Sequence, residues 1–333
     1  MPHSKTGIRI IGTGSSLPSF REDNEILCKN LDITPEWIIE KTGIKQRYLA
    51  GPDEHASDFA LDAARKAMSQ AKVTADQIDL IICCTFSGDY IFPPLSAKLH
   101  QELGAKGSQI FDLQANCTGV VTGLTTATDR MAMDPMVRHA LIVGVDLCSR
   151  YVDRSSIDTA VYLSDGAGAI VLGRGDDRAG IMTSAFFTDS SNYESVRMRG
   201  GGSSFPIMTR DQDRAIDFME MNGLATWKQA ITHMPRVMKS CAEKSGITLK
   251  DVDFFIFHQA NLRLIEYIMR KNRLALDATY TNVAEIGNTG SASLAIALSE
   301  AVEKNKIKPN SLVMLAAVGA GFNFGANLWR WSE

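Results

Sequence analysis

The chain has 333 residues, of which 45% are hydrophobic and 22% are charged, and its formal net charge is −3. This length allows a sizeable core, in one large domain or in two fused halves. The small net charge gives no general drive toward nucleic acid or an anionic membrane, and no apolar run reaches the roughly 18 residues that a membrane-spanning helix needs.

Strand-like and helical patterns alternate along the chain. In chain order, the predicted strands are 8–11, 80–85, 141–145, 167–172, 254–257 and 312–317. The predicted helices are 58–71, 118–131, 227–244, 262–271 and 291–304. Such alternation predicts an α/β fold with covered, largely parallel sheets.

A weak internal repeat predicts a duplicated chain. Segment 73–83 resembles segment 247–257 at an offset of 174 residues, and each copy follows an amphipathic helix. Cys117 and Asn288 each precede a predicted buried strand by 24 residues. Two halves related by pseudo-twofold symmetry would bring these two helix starts together. The predicted halves are residues 1–175 and 176–333.

The cysteines indicate the cellular setting. The six residues lie at positions 28, 83, 84, 117, 148 and 241, with no CxxC pair and no disulfide-like spacing. The N-terminal residues run straight into a predicted strand, without the hydrophobic segment of a signal peptide. Both features predict a reducing cytoplasm. No two His or Cys residues have metal-ligand spacing, so we expect no metal site.

Three residues at the edges of apolar runs are typical of a thiolate acyl-transfer site: Cys117, His258 and Asn288. Cys117 begins a predicted helix, where free N–H groups and the helix dipole should lower the pKa of the thiol and expose it as a nucleophile. His258 follows the predicted strand 254–257, on the side of an α/β sheet where ligands usually bind. Asn288 alone could be an ordinary helix cap.

Several spaced motifs resemble one protein family. They are segments 37–47, 116–124, 165–169, 258–263, 287–293 and 319–322. In these motifs the chain resembles the thiolase superfamily, and specifically the β-ketoacyl-acyl-carrier-protein (ACP) synthase III family, over almost its whole length. The resemblance implies a thiolase-like duplicated α/β fold, with two pseudo-symmetric halves in a five-layered αβαβα arrangement. It also implies a homodimer.

The resemblance implies a two-stage reaction. Cys117 would take an acyl group from acyl-CoA or acyl-ACP, and the backbone N–H groups of Cys117 and Ala320 would hold the oxyanion. His258 and Asn288 would then donate hydrogen bonds to the thioester oxygen of malonyl-ACP as it loses carbon dioxide. The enolate would attack the acyl group and release a 3-oxoacyl thioester. No permanently bound cofactor is implied.

The same resemblance assigns residues to substrate binding. Trp37 would flank the entrance for the pantetheine arm, and Asn261 would contact that arm. Phe92 matches a residue that the family uses to wall the acyl pocket across the dimer interface. A basic patch that would dock the acidic carrier protein, and that could also be an ordinary solvated face, consists of Arg263, Arg270 and Lys271.

Some positions depart from the usual family pattern. They are Ile157, Leu224, Val318, Ala320, Asn323 and Phe324. The first two replace usual contacts to CoA or pantetheine, which favours a carrier-protein donor over CoA. Together the departures predict a specialised paralogue, in secondary-metabolite assembly, although the standard fatty-acid pathway stays open.

Two other functions stay open from the sequence. An acyltransferase could load Cys117 and pass the acyl group to an alcohol or an amine without condensation. A non-catalytic subunit could pair with an active ketosynthase, but such partners typically lose part of the triad, and here Cys117, His258 and Asn288 are all present. The length, branching and aromaticity of the acyl chain are not encoded in any motif.

Overall fold

The computed structural model describes residues 6–175, 179–207 and 215–332. The strands are β1 (Ile8–Ser16), β2 (Phe20–Asp23), β3 (Gln46–Leu49), β4 (Leu80–Cys84), β5 (Gln109–Leu113), β6 (His139–Leu147), β7 (Asp165–Arg174), β8 (Gly180–Thr188), β9 (Val196–Met198), β10 (Met219–Met221), β11 (Phe254–Phe257), β12 (Thr279–Tyr280), β13 (Leu312–Gly319) and β14 (Asn323–Arg330). The helices are α1 (Asn24–Leu27), α2 (Pro35–Thr42), α3 (Ala56–Ala71), α4 (Leu95–Leu103), α5 (Gly119–Met133), α6 (Ile157–Ala160), α7 (Gly223–Lys244), α8 (Leu262–Lys271), α9 (Val283–Ile286) and α10 (Ser293–Glu303).

Two five-stranded sheets follow the same plan. The first has the strand order β1-β7-β6-β4-β5, and the second has the order β8-β14-β13-β11-β12. In each sheet, read in that order, the first two pairings are antiparallel and the last two are parallel. The repeated plan confirms the duplicated thiolase-like fold that the sequence predicts.

The two sheets and three layers of helices pack together into five layers, with hydrophobic cores between them. Helices α5 and α10 lie between the sheets, α3 and α4 cover the outer face of the first sheet, and α7 and α8 cover the outer face of the second. Along β4, Ile81 packs with the outer helices and its neighbour Ile82 packs with the middle ones. Since successive side chains of a strand point to opposite faces, a strand buried on both faces is a continuous apolar run.

The structure corrects one expectation about these sheets. They are mixed rather than largely parallel, because β7 and β14 each run antiparallel to both of their neighbours. An apolar run shows that a strand is covered on both faces but carries no information about its direction. All six predicted strands and all five predicted helices are present, several of them longer than predicted.

The predicted boundary between the halves falls beside residues 176–178, which lie outside the described residues. Strands of the first sheet come from residues 8–174 and strands of the second from residues 180–330. The division at residue 175 stays a prediction. In the described ranges, no helix is long and apolar enough to cross a membrane.

Candidate active site

A cavity of about 450 Å³ opens between the two halves. Five of the predicted site residues line it together: Cys117, Asn261, His258, Asn288 and Ala320. Trp37 and Phe92 do not line this cavity, and neither do the three residues of the predicted basic patch. Within the described part of the chain, no group of three or more His, Cys, Asp or Glu side chains could hold a metal ion.

Cys117 lies in a short 3-10 turn, Asn116–Thr118, that leads into α5. Its side chain is half-buried and lines the cavity. The expectation of a lowered pKa is wrong for this resting cavity, because burial raises the pKa of the Cys117 thiol to about 12, and the nearby Asp146 carboxylate adds to the shift. Cys117 is therefore a protonated thiol before substrate binds.

His258 follows β11 and is held by a side chain at the start of α10. Its Nδ1 lies 2.5 Å from the hydroxyl oxygen of Ser293, the first residue of α10. That oxygen also accepts the backbone N–H of Gln259 at 3.2 Å, so we assign the hydroxyl hydrogen to the bond with Nδ1. Burial lowers the pKa of His258 to about 4, so the ring is neutral near pH 7 and its one proton lies on Nε2.

Asn288 is oriented by the turn that precedes α10. Its Oδ1 accepts the backbone N–H of Gly290 at 3.0 Å. Its backbone N–H donates to the carbonyl of Tyr162, and its own carbonyl accepts from Ser164, both at 2.9 Å. Among the described residues, no protein group accepts a hydrogen bond from its Nδ2. The amide is therefore fixed at its oxygen and keeps its N–H donors available.

Asp146 is a buried carboxylate in the same cavity. Its Oδ1 accepts from Thr85 Oγ1, the backbone N–H of Phe86 and Ser87 Oγ, at 3.0–3.2 Å. Its Oδ2 accepts the backbone N–H of Ser291 at 2.7 Å. Burial raises the pKa of Asp146 to about 6, although these hydrogen bonds favour the charged form and oppose the shift. The carboxylate ties the ends of β4 and β6 to the Asn288 turn.

The start of α8 lines one side of the cavity, and α2 packs against α8. Asn261 caps α8, because its Oδ1 accepts the backbone N–H groups of Arg263 and Leu264, and its Nδ2 donates to the carbonyl of Lys41 at 3.3 Å. Trp37 lies on α2 and is about one-third exposed. The structure brings Asn261 to the cavity and leaves Trp37 on the outer surface beside it.

Two of the three side chains in the predicted basic patch donate hydrogen bonds to the protein backbone. The guanidinium of Arg263 donates to the backbone carbonyls of Ile39 and Glu40 at 3.1 Å, so it helps to cap α2. Lys271 Nζ donates to a backbone carbonyl of α7 at 2.8 Å. Arg270 and Lys271 are both exposed, and the Arg270 guanidinium lies 3.5 Å from the Glu266 carboxylate. Docking by this patch stays a prediction.

Comparison with known proteins identifies the family. Residues 111–190 match the family model described as 3-oxoacyl-[acyl-carrier-protein (ACP)] synthase III, and residues 242–331 match the model of its C-terminal part. The β-ketoacyl-ACP synthase III of Syntrophomonas wolfei is 36% identical over 326 residues, which cover 98% of each chain. That of Erythrobacter litoralis is also 36% identical, over 97% of this chain and 98% of the relative. The chain belongs to the 3-oxoacyl-ACP synthase III family.

Solved structures of a synthase III protein and of a priming β-ketosynthase have the same fold. The 3-oxoacyl-ACP synthase III of Aquifex aeolicus superposes with a TM-score of 0.90 at 32% identity, covering 98% of this chain and 100% of that one. The priming β-ketosynthase of the R1128 polyketide pathway superposes with a TM-score of 0.91 at 27% identity, covering 100% and 98%. The predicted membership of the synthase III family is confirmed.

The departures from the synthase III pattern lie in different parts of the structure. Val318 and Ala320 line the cavity, whereas Ile157 and Leu224 do not. Leu224 is exposed and lies on a separate small cavity beside α7. Asn323 donates a hydrogen bond to Thr118, the residue that follows Cys117.

The sequence reasoning missed several residues of this cavity. Asp146 was detectable, because it is a charged residue at the end of the buried run of β6. Ser293 was part of a recognised motif but had no assigned role. Other residues that line the cavity and were not predicted include Phe86, Cys148, Tyr162 and Met219. Their convergence is a tertiary property that no local pattern shows.

Proposed function

We propose that this protein is a condensing enzyme of the 3-oxoacyl-ACP synthase III type, which acts in fatty-acid or secondary-metabolite biosynthesis. The observation that carries the proposal is the meeting, in one cavity, of the thiol of Cys117 with two neutral side chains, His258 and Asn288, that can donate hydrogen bonds. Full-length similarity to synthase III proteins of two bacteria supports it.

In the first stage, the sulfur of Cys117 attacks the carbonyl carbon of an acyl thioester. The new S–C bond replaces the S–C bond of the donor, and the thiol proton leaves with the released CoA or carrier thiol. Because burial raises the pKa of Cys117 to about 12, this proton departs during the attack rather than before it. The backbone N–H groups of Cys117 and Ala320 stabilise the oxyanion.

In the second stage, malonyl-ACP loses carbon dioxide and the electron pair of the broken C–C bond becomes an enolate. His258 Nε2–H and Asn288 Nδ2–H donate to the thioester oxygen where the negative charge develops. Decarboxylation removes no proton, so two neutral donors suit it better than a base. Loss of one such donor typically costs about 2.7–4 kcal/mol of barrier. The enolate carbon then attacks the acyl group and expels the Cys117 sulfur as a thiolate, which takes a proton from solvent to restore the thiol.

Both substrates are thioesters on a pantetheine arm, and no permanently bound cofactor is part of the proposal. The arm would enter beside α8, between Trp37 and Asn261. An acidic carrier protein would dock on the basic patch, where the Arg270 side chain is exposed. All six cysteines are free thiols, which supports a reducing, cytoplasmic setting.

We also propose a homodimer. Two surface features of the chain support it. Strand β5 lies at an edge of the first sheet with β4 as its one neighbour among the described strands, and an exposed edge can pair with a second copy. Tyr90, Ile91 and Phe92 are consecutive and 70%, 80% and 83% exposed. A partner subunit would cover this apolar tip, and Phe92 would wall the partner's acyl pocket.

Intact-protein mass spectrometry tests the first stage. Wild type, Cys117→Ala and Cys28→Ala are each incubated with acyl-CoA and acyl-ACP panels. The Cys28 variant is a matched control because Cys28 is another half-buried free thiol outside the cavity. We expect an acyl adduct on wild type and on Cys28→Ala but not on Cys117→Ala. An adduct on Cys117→Ala, or none on wild type with any thioester, would contradict the proposal.

A further inference from the structure

Two side-chain hydrogen bonds join the turn that carries Cys117 to the loop that carries Ala320. Asn116 Nδ2 donates to the backbone carbonyl of Ala320 at 3.1 Å. Asn323 Nδ2 donates to Thr118 Oγ1 at 2.8 Å. Asn116 and Thr118 are the neighbours of Cys117 on either side, so the two bonds bracket the nucleophile. Each bond crosses from one half of the duplicated fold to the other.

The backbones of the turn and the loop are in close contact at this point. A Cβ placed on Gly319 would lie 3.2 Å from the backbone nitrogen of Cys117 and 2.9 Å from the carbonyl oxygen of Ala115. Asn116 has a φ of +50°, a conformation that asparagine tolerates better than most residues. The position before Cys117 therefore suits an amide side chain in both its backbone angle and its bond to Ala320.

The bond at Thr118 has a fixed direction. The Thr118 hydroxyl donates to the carbonyl of Ala115 at 2.7 Å, so its oxygen is left to accept the N–H of Asn323. This chain of two bonds ties the first residue of β14 to the turn around Cys117. Together with the Asn116 bond, it leaves the loop 319–323 little freedom to move relative to Cys117.

We propose that Asn116 and Asn323 are positioning residues, which set the spacing between the backbone N–H groups of Cys117 and Ala320. This inference rests on the proposed acyl transfer through Cys117. Donors that stabilise an oxyanion act best when they are already in place before the charge develops, and a misplacement of about 1 Å can cost on the order of 100-fold in rate. The two amides would supply that fixed spacing.

The same pair of elements contains a matched control. Asn327, four residues along β14, donates to Thr125 Oγ1 of α5 at 2.8 Å. This bond has the same chemistry and length as the bond from Asn323, but Thr125 lies two helical turns, or roughly 10 Å, beyond Thr118. A purely structural role would be shared by Asn323 and Asn327. A positioning role would belong to Asn323 alone.

The test compares three variants with wild type in the full-length protein. Asn116→Gly removes the amide and still accepts a positive φ, Asn323→Leu replaces the amide by an apolar group of similar size, and Asn327→Leu is the control. Three quantities are measured: the single-turnover rate of Cys117 acylation, the rate of Cys117 alkylation by iodoacetamide, and the urea midpoint of unfolding. Alkylation forms no oxyanion, so its rate reports the reactivity of the Cys117 thiol independently of the backbone N–H donors.

We expect acylation to slow about 10- to 100-fold in Asn116→Gly and Asn323→Leu, with alkylation within about threefold of wild type. Asn327→Leu should lower the urea midpoint while its acylation rate stays within about threefold. Acylation at the wild-type rate in the first two variants, or equal slowing in Asn327→Leu, would overturn the inference and leave the proposed function intact. If no thioester acylates wild type while iodoacetamide still reacts, the proposed function fails and the inference fails with it.

Discussion

Replacement of Ser293 by alanine should separate the two stages of the proposed reaction. The Ser293 hydroxyl joins His258 Nδ1 at 2.5 Å and the backbone N–H of Gln259 at 3.2 Å. His258 and Gln259 are only 6% and 1% exposed, so water cannot readily replace the lost partner. Alanine therefore leaves a buried acceptor and a buried donor without partners, and it releases the constraint that keeps the imidazole proton on Nε2.

The size of the effect follows from these contacts. A buried polar group without a partner costs about 1–3 kcal/mol. His258 stays in the cavity and can still populate the donating tautomer, so the loss is smaller than removal of a whole oxyanion donor. We expect about 1–2 kcal/mol in the barrier to decarboxylation, which corresponds to roughly 5- to 30-fold in rate. Acylation of Cys117 should change by less than about threefold, because other donors serve that stage.

The assay follows carbon dioxide release from malonyl-ACP by pre-acylated enzyme, beside the acylation rate from intact mass. Nitrogen NMR of the histidines reports whether Ser293→Ala moves the His258 proton from Nε2. Ser299→Ala is the matched control, since Ser299 lies on the same helix, is fully buried, and has a hydroxyl with no hydrogen-bond partner among the described residues. That substitution should leave both stages unchanged.

Two results would refute this reasoning. If Ser293→Ala slows acylation and decarboxylation equally, the hydroxyl supports the cavity as a whole rather than the His258 tautomer. If decarboxylation stays at the wild-type rate while the NMR signal shows the proton displaced, the Nε2–H of His258 does not stabilise the enolate.

Three further predictions follow from other contacts. Because burial raises the pKa of Cys117 to about 12, the rate of iodoacetamide alkylation of the unliganded enzyme should still increase between pH 7 and pH 10. An alkylation rate that stops increasing near pH 7 would contradict this prediction. Arg47→Met should lower the free energy of unfolding by about 3 kcal/mol in urea titrations, because the buried guanidinium donates hydrogen bonds to two acceptors that would lose their partner. An unchanged urea midpoint would show that these acceptors find another hydrogen-bond donor. Gly319→Ala should slow acylation at least about 10-fold, because the added Cβ would push the loop away from Cys117. Acylation at the wild-type rate would show that the loop can move to accept the Cβ without loss of activity.

The order of elements and the motifs could be predicted because their signals are local. Periodicity located β11 and α8 at the observed bounds, and the spaced motifs indicated the family. The resemblance also predicted that Cys117, His258 and Asn288 serve one site, and all three line one cavity. Each lies at the end of a buried element, where a polar residue stands out against an apolar run.

The remaining features depend on contacts between distant segments. The pKa of Cys117 is raised by burial and by Asp146, 29 residues away in the chain, and neither cause is visible in the local sequence. The antiparallel direction of β14 is set by its pairing with β13 and β8. Arg263 is part of a basic cluster in the sequence, but its guanidinium is engaged with the end of α2.

The most direct test of the condensing activity is the fate of the acyl group on Cys117. Acyl-enzyme, purified away from its donor, is mixed with malonyl-ACP that carries carbon-13 in its free carboxyl group. We expect the adduct to disappear from Cys117 as labelled carbon dioxide and a 3-oxoacyl-ACP form in equal amounts. An adduct that persists with malonyl-ACP but is removed by an alcohol or an amine, without labelled carbon dioxide, would contradict the condensing function.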